Sequence, residues 1–408
     1  MIQAGAGGGG GYSGAGDSEE RGGAGAAGGA GLRLVGAGDI LNIGTIAGGN
    51  GGAGYNDYYH GGAGGGGGAG VALMAGGQVT NLGLIEGGAG GAATVTNAGT
   101  IAGAIDSVLF RSAGDVLIAD AGAVFVRAVV GGGGTLELAG GTGVVTGLGG
   151  AGVVSGSASA SFSGFDSYVF GPAGRWSLSG TSALGAGQDL TVDGSLTVAD
   201  SIVVSAGAAI TTGTGGALSL RGVDVMLGGS IVNDGQFAAQ GTTVTISGAV
   251  TGFGRALIDQ GTLAVTSAFS QDVTFSGKSG TLVLDQSQSF QSAISAFAAG
   301  GQDVLDLGDI AFVSKGEASF SGFSGGGVLT VDDGTHSASL ELIGDYAGDS
   351  FTASSDGHGG VDVIATSGGA ASIHALTATL ASIGPHGVVP HYGGLHATVR
   401  PMLVAPSS

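Results

Sequence analysis

The segments ILNIGTIAGG (Ile40–Gly49), VTNLGLIEGG (Val79–Gly88) and VTNAGTIAGA (Val95–Ala104) share one order of residues: apolar, any, Asn, any, Gly, any, Ile. A more distant copy, IVNDGQFAAQ, runs from Ile231 to Gln240. Self-similarity of this kind is typical of repeat architectures, in which one unit cannot bury its apolar face alone. The chain is therefore predicted to fold by stacking similar units.

The repeated Asn residues are Asn42, Asn81, Asn97 and Asn233, and the step from Asn42 to Asn81 is more than twice the step from Asn81 to Asn97. Asn side chains bond backbone groups in turns, and identical side chains in stacked strands can form a ladder along the axis. We interpret the longer step as one coil that carries an inserted Gly-rich loop around Tyr55. We expect the four Asn residues to be structural.

A second phrase has the order Gly, small, Leu, any, aliphatic, and its alternation places Leu and Val on one face of a strand. Its copies lie at Gly134–Leu138, Gly194–Val198, Gly216–Leu220, Gly261–Val265, Gly280–Leu284 and Gly327–Val331. Helical spacing is seen only around Gln288–Ala299, where a short helix is expected. Short strands with Gly turns fit a sandwich, a barrel or a β-solenoid. The repeated Asn favours an all-β solenoid with about 20 residues per coil.

The composition of the chain limits the classes of function that it can have. The 408 residues include 95 Gly and no Cys, and 43% are hydrophobic, whereas an ordinary domain has roughly 7% Gly. The net charge of −20 excludes nucleic acid as a partner, because that binding needs Lys and Arg to displace counterions. It also disfavours anionic lipid. No apolar run is long enough to predict a transmembrane segment.

The pattern divides the chain into four parts. Residues 1–104 are a Gly-rich repeat region, of which residues 1–30 are expected to be disordered. Residues 105–290 form the β-solenoid body and residues 291–366 a small β-rich C-terminal module. Residues 367–408 contain most of the prolines and are expected to be a poorly ordered tail.

The NxGTI phrases and GTLxV strands, over roughly residues 32–290, resemble the passenger regions of bacterial autotransporters and related filamentous adhesins. The resemblance implies a right-handed parallel β-helix and a secreted or cell-surface protein associated with the bacterial outer membrane. It also implies a role in adhesion, aggregation or biofilm, with a glycan or protein on a host or neighbouring cell as partner. Met1–Gly10 has neither the basic nor the apolar segment of a secretory signal. We therefore expect the signal upstream of this segment, or export through another route.

A further resemblance covers VLDLGDIAF (Val304–Phe312), GGVLTVDDGTHSASLELIGDY (Gly326–Tyr346) and FTASSDGHGGVDV (Phe351–Val363). These segments look like a module found near the C-terminal part of large repetitive exoproteins of alphaproteobacteria.

Acidic turns are candidate calcium sites, because calcium takes six to eight oxygen ligands from carboxylates and carbonyls. The candidates are Asp332, Asp333, Asp356 and Asp362. The repeated nonapeptide of calcium-binding β-rolls is missing, however, and acidic residues in turns are more often solvated turn formers. A calcium-binding secreted repeat protein remains an alternative.

Catalysis is not expected, and neither catalytic nor cofactor-binding residues are predicted. A polysaccharide-acting β-helix enzyme would need clustered carboxylates beside a basic residue. The ten Lys and Arg residues are scattered singly, so the enzyme is the weaker alternative. Exposed aromatic residues on a Gly-flanked loop are typical of contact surfaces. Tyr55, Tyr58, Tyr59 and His60 are therefore candidate contact residues, or else they fold back over a Gly-rich face.

Overall fold

The computed structural model describes residues 2–3, 24–34, 39–54, 71–73, 78–81, 84–86, 94–102, 106–110, 112–222 and 225–367. Short β-strands dominate this part of the chain, and one 3-10 turn lies at Ser287–Ser289. The Gly-rich turns and the alternation of apolar with small polar residues account for the strands, because side chains of successive strand residues point to opposite faces.

In chain order the described strands are β1 (Ile2–Gln3), β2 (Leu32–Leu34), β3 (Asp39–Asn42), β4 (Thr45–Ala47), β5 (Val71–Leu73), β6 (Gln78–Asn81), β7 (Leu84–Glu86), β8 (Thr94–Asn97), β9 (Thr100–Ala102), β10 (Asp106–Leu109), β11 (Val116–Ala119), β12 (Val124–Phe125), β13 (Ala128–Val130), β14 (Thr135–Thr146), β15 (Gly152–Gly156), β16 (Ala160–Ser163), β17 (Ser167–Ser179), β18 (Thr181–Leu184), β19 (Asp189–Val192), β20 (Ser195–Val198), β21 (Ser201–Val204), β22 (Ala209–Thr212), β23 (Ala217–Leu220), β24 (Val225–Leu227), β25 (Ser230–Asn233), β26 (Gln236–Gln240), β27 (Thr243–Ile246), β28 (Val250–Thr251), β29 (Arg255–Asp259), β30 (Thr262–Val265), β31 (Asp272–Ser276), β32 (Gly280–Leu284), β33 (Ala293–Ser295), β34 (Asp303–Leu307), β35 (Ala318–Phe323), β36 (Gly326–Asp332), β37 (Ser337–Ile343), β38 (Ser350–Ser355) and β39 (Val361–Thr366).

Each coil contributes strands to three stacks of parallel strands, which we call faces 1, 2 and 3. Face 1 contains β2, β5, β8, β11, the first parts of β14 and β17, β19, β22, β25 and β28. Face 2 contains β3, β6, β9 and β12, then the second parts of β14 and β17, β20, β23, β26, β29, β31 and β33. Face 3 contains β1, β4 and β7, then β10, β13 and β16, then β18, β21, β24, β27, β30, β32 and β34. The predicted all-β parallel solenoid is confirmed.

Strand register gives the length of a coil. Asp189 pairs with Ala209, so the interval between these two residues is one coil, and it matches the coil length that the repeat pattern predicts. Leu32 pairs with Val71, and this interval is nearly twice as long. The longer interval is therefore one enlarged coil, as the Asn spacing predicts, while the loop expected around Tyr55 lies outside the described residues.

One coil of the body is also enlarged. Thr135 of β14 pairs with Ser167 of β17, and the interval between them exceeds that from Asp189 to Ala209. The extra residues include β15, which forms antiparallel pairs with both β14 and β16. The main stack continues beyond this excursion, because β17 pairs in parallel with β19 and β20.

The core runs along the inside of the coils. In β19 the side chains of Leu190 and Val192 are at most 1% exposed, while Thr191 between them is partly exposed. The same alternation recurs in β20, β22 and β23. Burial of each such aliphatic side chain stabilises the fold by about 1.5–3 kcal/mol. Because each coil contacts mainly its neighbours, this stabilisation is local and additive along the solenoid.

The C-terminal module changes the strand direction. β37 pairs in parallel with β33 but antiparallel with β36, which pairs antiparallel with β35. β39 pairs antiparallel with both β34 and β38. The rings of Phe320, Tyr346 and Phe351 pack together, with centroids 5.4–6.0 Å apart. The sequence pattern predicts that the solenoid body ends at residue 290. In the structure, parallel stacking continues through Leu307.

The helix expected around Gln288–Ala299 is wrong. This segment contains the end of the 3-10 turn and the strand β33. Phe290, Ile294 and Phe297 are at most 5% exposed. They pack into the solenoid core and do not form the apolar side of a helix. The order expectations for residues 1–30 and 367–408 concern mostly residues 4–23 and 368–408, which lie outside the described residues.

Candidate functional site

Phe253 lies at a corner of the solenoid, between β28 on face 1 and β29 on face 2. Its side chain is fully exposed to solvent, which forgoes the roughly 1.5–3 kcal/mol that burial would supply. Single exposed apolar side chains are common and need no special explanation. What distinguishes this one is the turn that carries it, residues 252–254, which we call the corner turn.

Two buried amide side chains, one from each neighbouring coil, form hydrogen bonds to the backbone next to the corner turn on its core side. Asn233 and Gln271 are 0% and 1% exposed. Nε2 of Gln271 donates to the carbonyl oxygens of Thr251 and Gly252 at 3.1 and 3.0 Å. Nδ2 of Asn233 donates to Oε1 of Gln271 at 2.7 Å and to the carbonyl oxygen of Arg255 at 3.2 Å. The backbone on both sides of the turn is thereby fixed to the coil core.

The backbone N–H groups of the corner turn are bonded as well. The N–H of Phe253 donates to Oδ1 of Asp234 at 2.9 Å, and the N–H of Gly254 donates to the carbonyl oxygen of Asn233 at 2.8 Å. Gly252 has φ of +102°, and a Cβ there would lie 2.4 Å from that same carbonyl oxygen. A residue with a side chain cannot replace Gly252 without moving the turn. The turn therefore presents the Phe253 ring on a rigid backbone.

A shallow groove of about 530 Å³ runs beside the ring. Its polar lining comes from neighbouring coils, because Gln236, Arg255 and Asp272 are successive register partners on face 2. Nη2 of Arg255 donates to Oε1 of Gln236 at 3.3 Å. Oδ1 of Asp272 accepts the N–H of Ala293 at 2.9 Å. Carboxylate, guanidinium and amide groups thus surround an apolar ring at an open surface.

The four repeated Asn residues do not form a single ladder. Asn42 and Asn81 are register partners on face 2. Asn97 ends β8 on face 1 and pairs with Ala119, because the interval from Asn81 to Asn97 is shorter than one coil. Asn42 and Asn97 each accept the backbone N–H two residues further along the chain, at 3.1 and 2.9 Å. Asn233 instead belongs to the network beneath the corner turn.

Three of the four candidate calcium residues accept hydrogen bonds from the protein backbone. Oδ1 of Asp332, Asp333 and Asp356 accepts backbone N–H groups of its own turn at 2.6–3.0 Å. Asp362 lies in β39. Within the part of the chain that the structure describes, no group of three or more His, Cys, Asp or Glu is placed to hold a metal ion. The three turn carboxylates here have the role of turn formers.

A pair of carboxylates lies where the last strand of the solenoid pairs with the module. Asp306 of β34 and Asp362 of β39 are register partners in an antiparallel pair. Oδ1 of Asp306 is buried and has no hydrogen bond. Burial and the nearby carboxylates of Asp362, Asp356 and Asp285 raise the pKa of Asp306 to about 6. Asp306 therefore keeps its proton to a higher pH in the folded chain than in the unfolded chain.

This carboxylate pair makes stability depend on pH. The folded state holds a proton on Asp306 that the unfolded chain releases near pH 4, so the contribution is complete below pH 4 and lost as the pH rises through about 6. We expect Asp306→Asn to raise the melting temperature at pH 7.5 and to flatten its fall between pH 4.5 and 7.5. Thermal melts across this range measure the effect.

Asp333→Asn is the control with the opposite sign. Hydrogen bonds from the backbone N–H groups of His336 and Thr335 hold the pKa of Asp333 well below its usual range. Ionised Asp333 therefore stabilises the fold above the unfolded pKa, and this stabilisation is lost as the pH falls. Asp333→Asn should have a lower melting temperature at pH 7.5. If Asp306→Asn also lowers the melting temperature there, the carboxylate repulsion is refuted.

The predicted aromatic contact residues Tyr55, Tyr58, Tyr59 and His60 lie outside the described residues. Sequence reasoning missed Phe253, although a signal was present. Aligning VTGFGR with IVNDGQ by strand register places Phe253 where the neighbouring coil has Asp234. A large apolar residue at a turn position occupied by Asp, between two Gly residues, indicates an exposed ring.

No protein-family model matches the chain, and no curated protein matches its sequence. Among the described residues, none of the helical segments has the length and apolar character that crossing a membrane requires.

Proposed function

We propose that the chain is a non-enzymatic, exported surface protein that acts by contact, in adhesion, aggregation or biofilm formation. One observation carries this proposal. The coils form a scaffold with long outer faces, and the corner turn places a fully exposed ring on a hydrogen-bonded backbone. Exposed aromatic residues beside Arg are typical of the centres of protein contact surfaces. Residues carried on a rigid scaffold lose little conformational entropy when they bind.

The composition of the outer faces supports the same function. Outward residues on face 3 include Thr243, Thr262 and Thr281, which are register partners. They line an open groove of about 490 Å³. Small polar side chains in registered rows offer a broad, hydrated surface of the kind found in weak, repeated contacts. The resemblance to autotransporter passengers agrees with placement at the cell surface.

Bead attachment tests the proposed function. The full chain is coupled to fluorescent beads, and attachment to bacterial biofilm and to cultured epithelial cells is counted under flow. Albumin-coated beads are the control. We expect attachment above the control and clumping between coated beads. Attachment equal to the control on every surface, together with release of reducing ends from a polysaccharide panel, would contradict the contact function and indicate an enzyme.

A further inference from the structure

We infer that the groove beside Phe253 binds a neutral glycan, with one sugar ring stacked on the phenyl face. This inference rests on the proposed function and names the ligand class for one part of the contact surface. The site consists of the exposed ring and the polar side chains of four successive coils, with lining residues Thr214, Asp234, Gln236, Phe253, Arg255 and Asp272.

The ring supplies an apolar platform. A hexose has one face of C–H groups, and the face of a phenyl ring carries partial negative charge that attracts such hydrogens. The ring of Phe253 is fully exposed, so a sugar can reach it without moving any other side chain. The turn is held in place because Oδ1 of Asp234 accepts the N–H of Phe253 and Nε2 of Gln271 donates to the carbonyl oxygen of Gly252. Little ordering entropy is therefore lost when a ligand stacks.

The neighbouring side chains supply hydrogen bonds to hydroxyl groups. Arg255 is exposed and uses Nη2 to reach Gln236, and a guanidinium has five N–H donors. Asp272 is exposed and uses Oδ1 for a backbone contact, and each carboxylate oxygen accepts more than one hydrogen bond. Coils repeat about every 4.8 Å, which is comparable to the length of one sugar unit. Successive sugars along an extended chain can therefore meet successive coils.

Charge selects a neutral ligand over an acidic one. Around the ring lie the carboxylates of Asp234 and Asp272 and one guanidinium, that of Arg255. The chain as a whole carries −20. Acidic polysaccharides would be repelled by this surface, whereas the hydroxyl groups of a neutral sugar can bond both signs of charge. A protein partner is the competing occupant and appears as an outcome of the test.

Affinity electrophoresis tests the inference with the full chain. The gels contain galactomannan, β-1,3-glucan or dextran, with alginate as the acidic comparator. We expect retardation by at least one neutral polysaccharide, none by alginate, and at least tenfold weaker retardation for Phe253→Ala. Met226→Ala is the matched control, because Met226 is a 56% exposed apolar residue in β24 on face 3 and should leave retardation unchanged.

A second readout reports on stacking. The single Trp of the chain, Trp176, is 2% exposed. Phe253→Trp therefore adds a solvent-exposed Trp whose emission differs from that of the buried Trp176. Its emission should shift to shorter wavelength when the retarding polysaccharide is added. Unchanged emission, or retardation that survives Phe253→Ala, overturns the inference.

The bead assay separates this failure from failure of the proposed function. Beads that attach to cells while no neutral polysaccharide retards the chain overturn the glycan and leave contact standing. Concentration-dependent dimers that vanish in Phe253→Ala, without polysaccharide binding, assign the ring to a second copy and also overturn the inference. Failure of the beads to attach anywhere removes the contact function itself.

Discussion

Replacing Val204 with Asp is expected to unfold the coils around β21, whereas replacing its neighbour Val203 with Asp should leave them folded. Val204 is 1% exposed and faces the core, while Val203 is 37% exposed and faces outward. An unpaired buried carboxylate costs on the order of 4 kcal/mol or more. A surface substitution usually changes stability by no more than about 0.5 kcal/mol. Limited proteolysis with mass mapping locates the opened coils, and thermal melting measures the size of the effect.

The two Val variants form a matched pair, because they place the same charge one residue apart in the same strand. A shift of one residue in a β-strand exchanges its inner and outer faces. If Val203→Asp were the damaging change, the strand would face the other way in solution. Equal tolerance of both changes would mean that β21 does not pack against a core.

Tyr346→Ala is expected to detach the C-terminal module from the solenoid. Tyr346 is 1% exposed, packs against Phe320 and Phe351, and accepts the N–H of Phe297 through its hydroxyl at 3.2 Å. Removal of a buried aromatic side chain costs about 3–5 kcal/mol. We expect rapid amide hydrogen exchange in β35–β39 while β19–β27 stay protected, because stability in stacked coils is local.

Phe323→Ala controls for the loss of an aromatic ring in the same module. Phe323 ends β35 and is 73% exposed, so its truncation should leave exchange nearly unchanged. If Tyr346→Ala exchanges like the parent protein, the aromatic cluster does not anchor the module. Loss of protection along the whole chain would instead show that module and coils unfold as one unit.

Much of the fold follows from local pattern. Alternation in GSLTV and GALSL predicts inward Leu and outward Ser, and the register pairs Leu196 with Leu218 as this requires. The assignment of strands to three faces does not follow from the phrases. Leu136 is on face 1, Leu196 on face 2 and Leu263 on face 3, although all three occupy the same position of the phrase. The phrase reports burial, which is common to all faces.

The failures of the sequence patterns have a common cause, namely the corners. Phe290, Ile294 and Phe297 show helical spacing, but they lie near a corner where the chain turns between faces and strand alternation is interrupted. Asn97 and Asn81 share a local motif, yet they occupy different faces. Corner positions depend on which coil lies next along the axis, and motif matching alone does not use that information.

The sequence patterns did not reveal the candidate site for the same reason. Phe253, Arg255 and Asp272 lie in two coils and become neighbours only through the register of β29 and β31. Asn233 is the member of the site that the repeat identified, although its role is to support the corner turn rather than to extend a ladder.

Distances between spin labels test the stacking of coils most directly. The chain has no Cys, so introduced Cys residues can be labelled in pairs. A column of register partners on face 1 runs through Thr96, Ile118, Glu137, Val169, Thr191, Thr211, Val232 and Thr251. Labels at Thr251 are paired with labels at Val169, Glu137 or Thr96. At about 4.8 Å per strand, the expected separations are about 19, 24 and 34 Å. Separations that fail to increase in this order, or that are broad and equal, would contradict a stack of parallel coils.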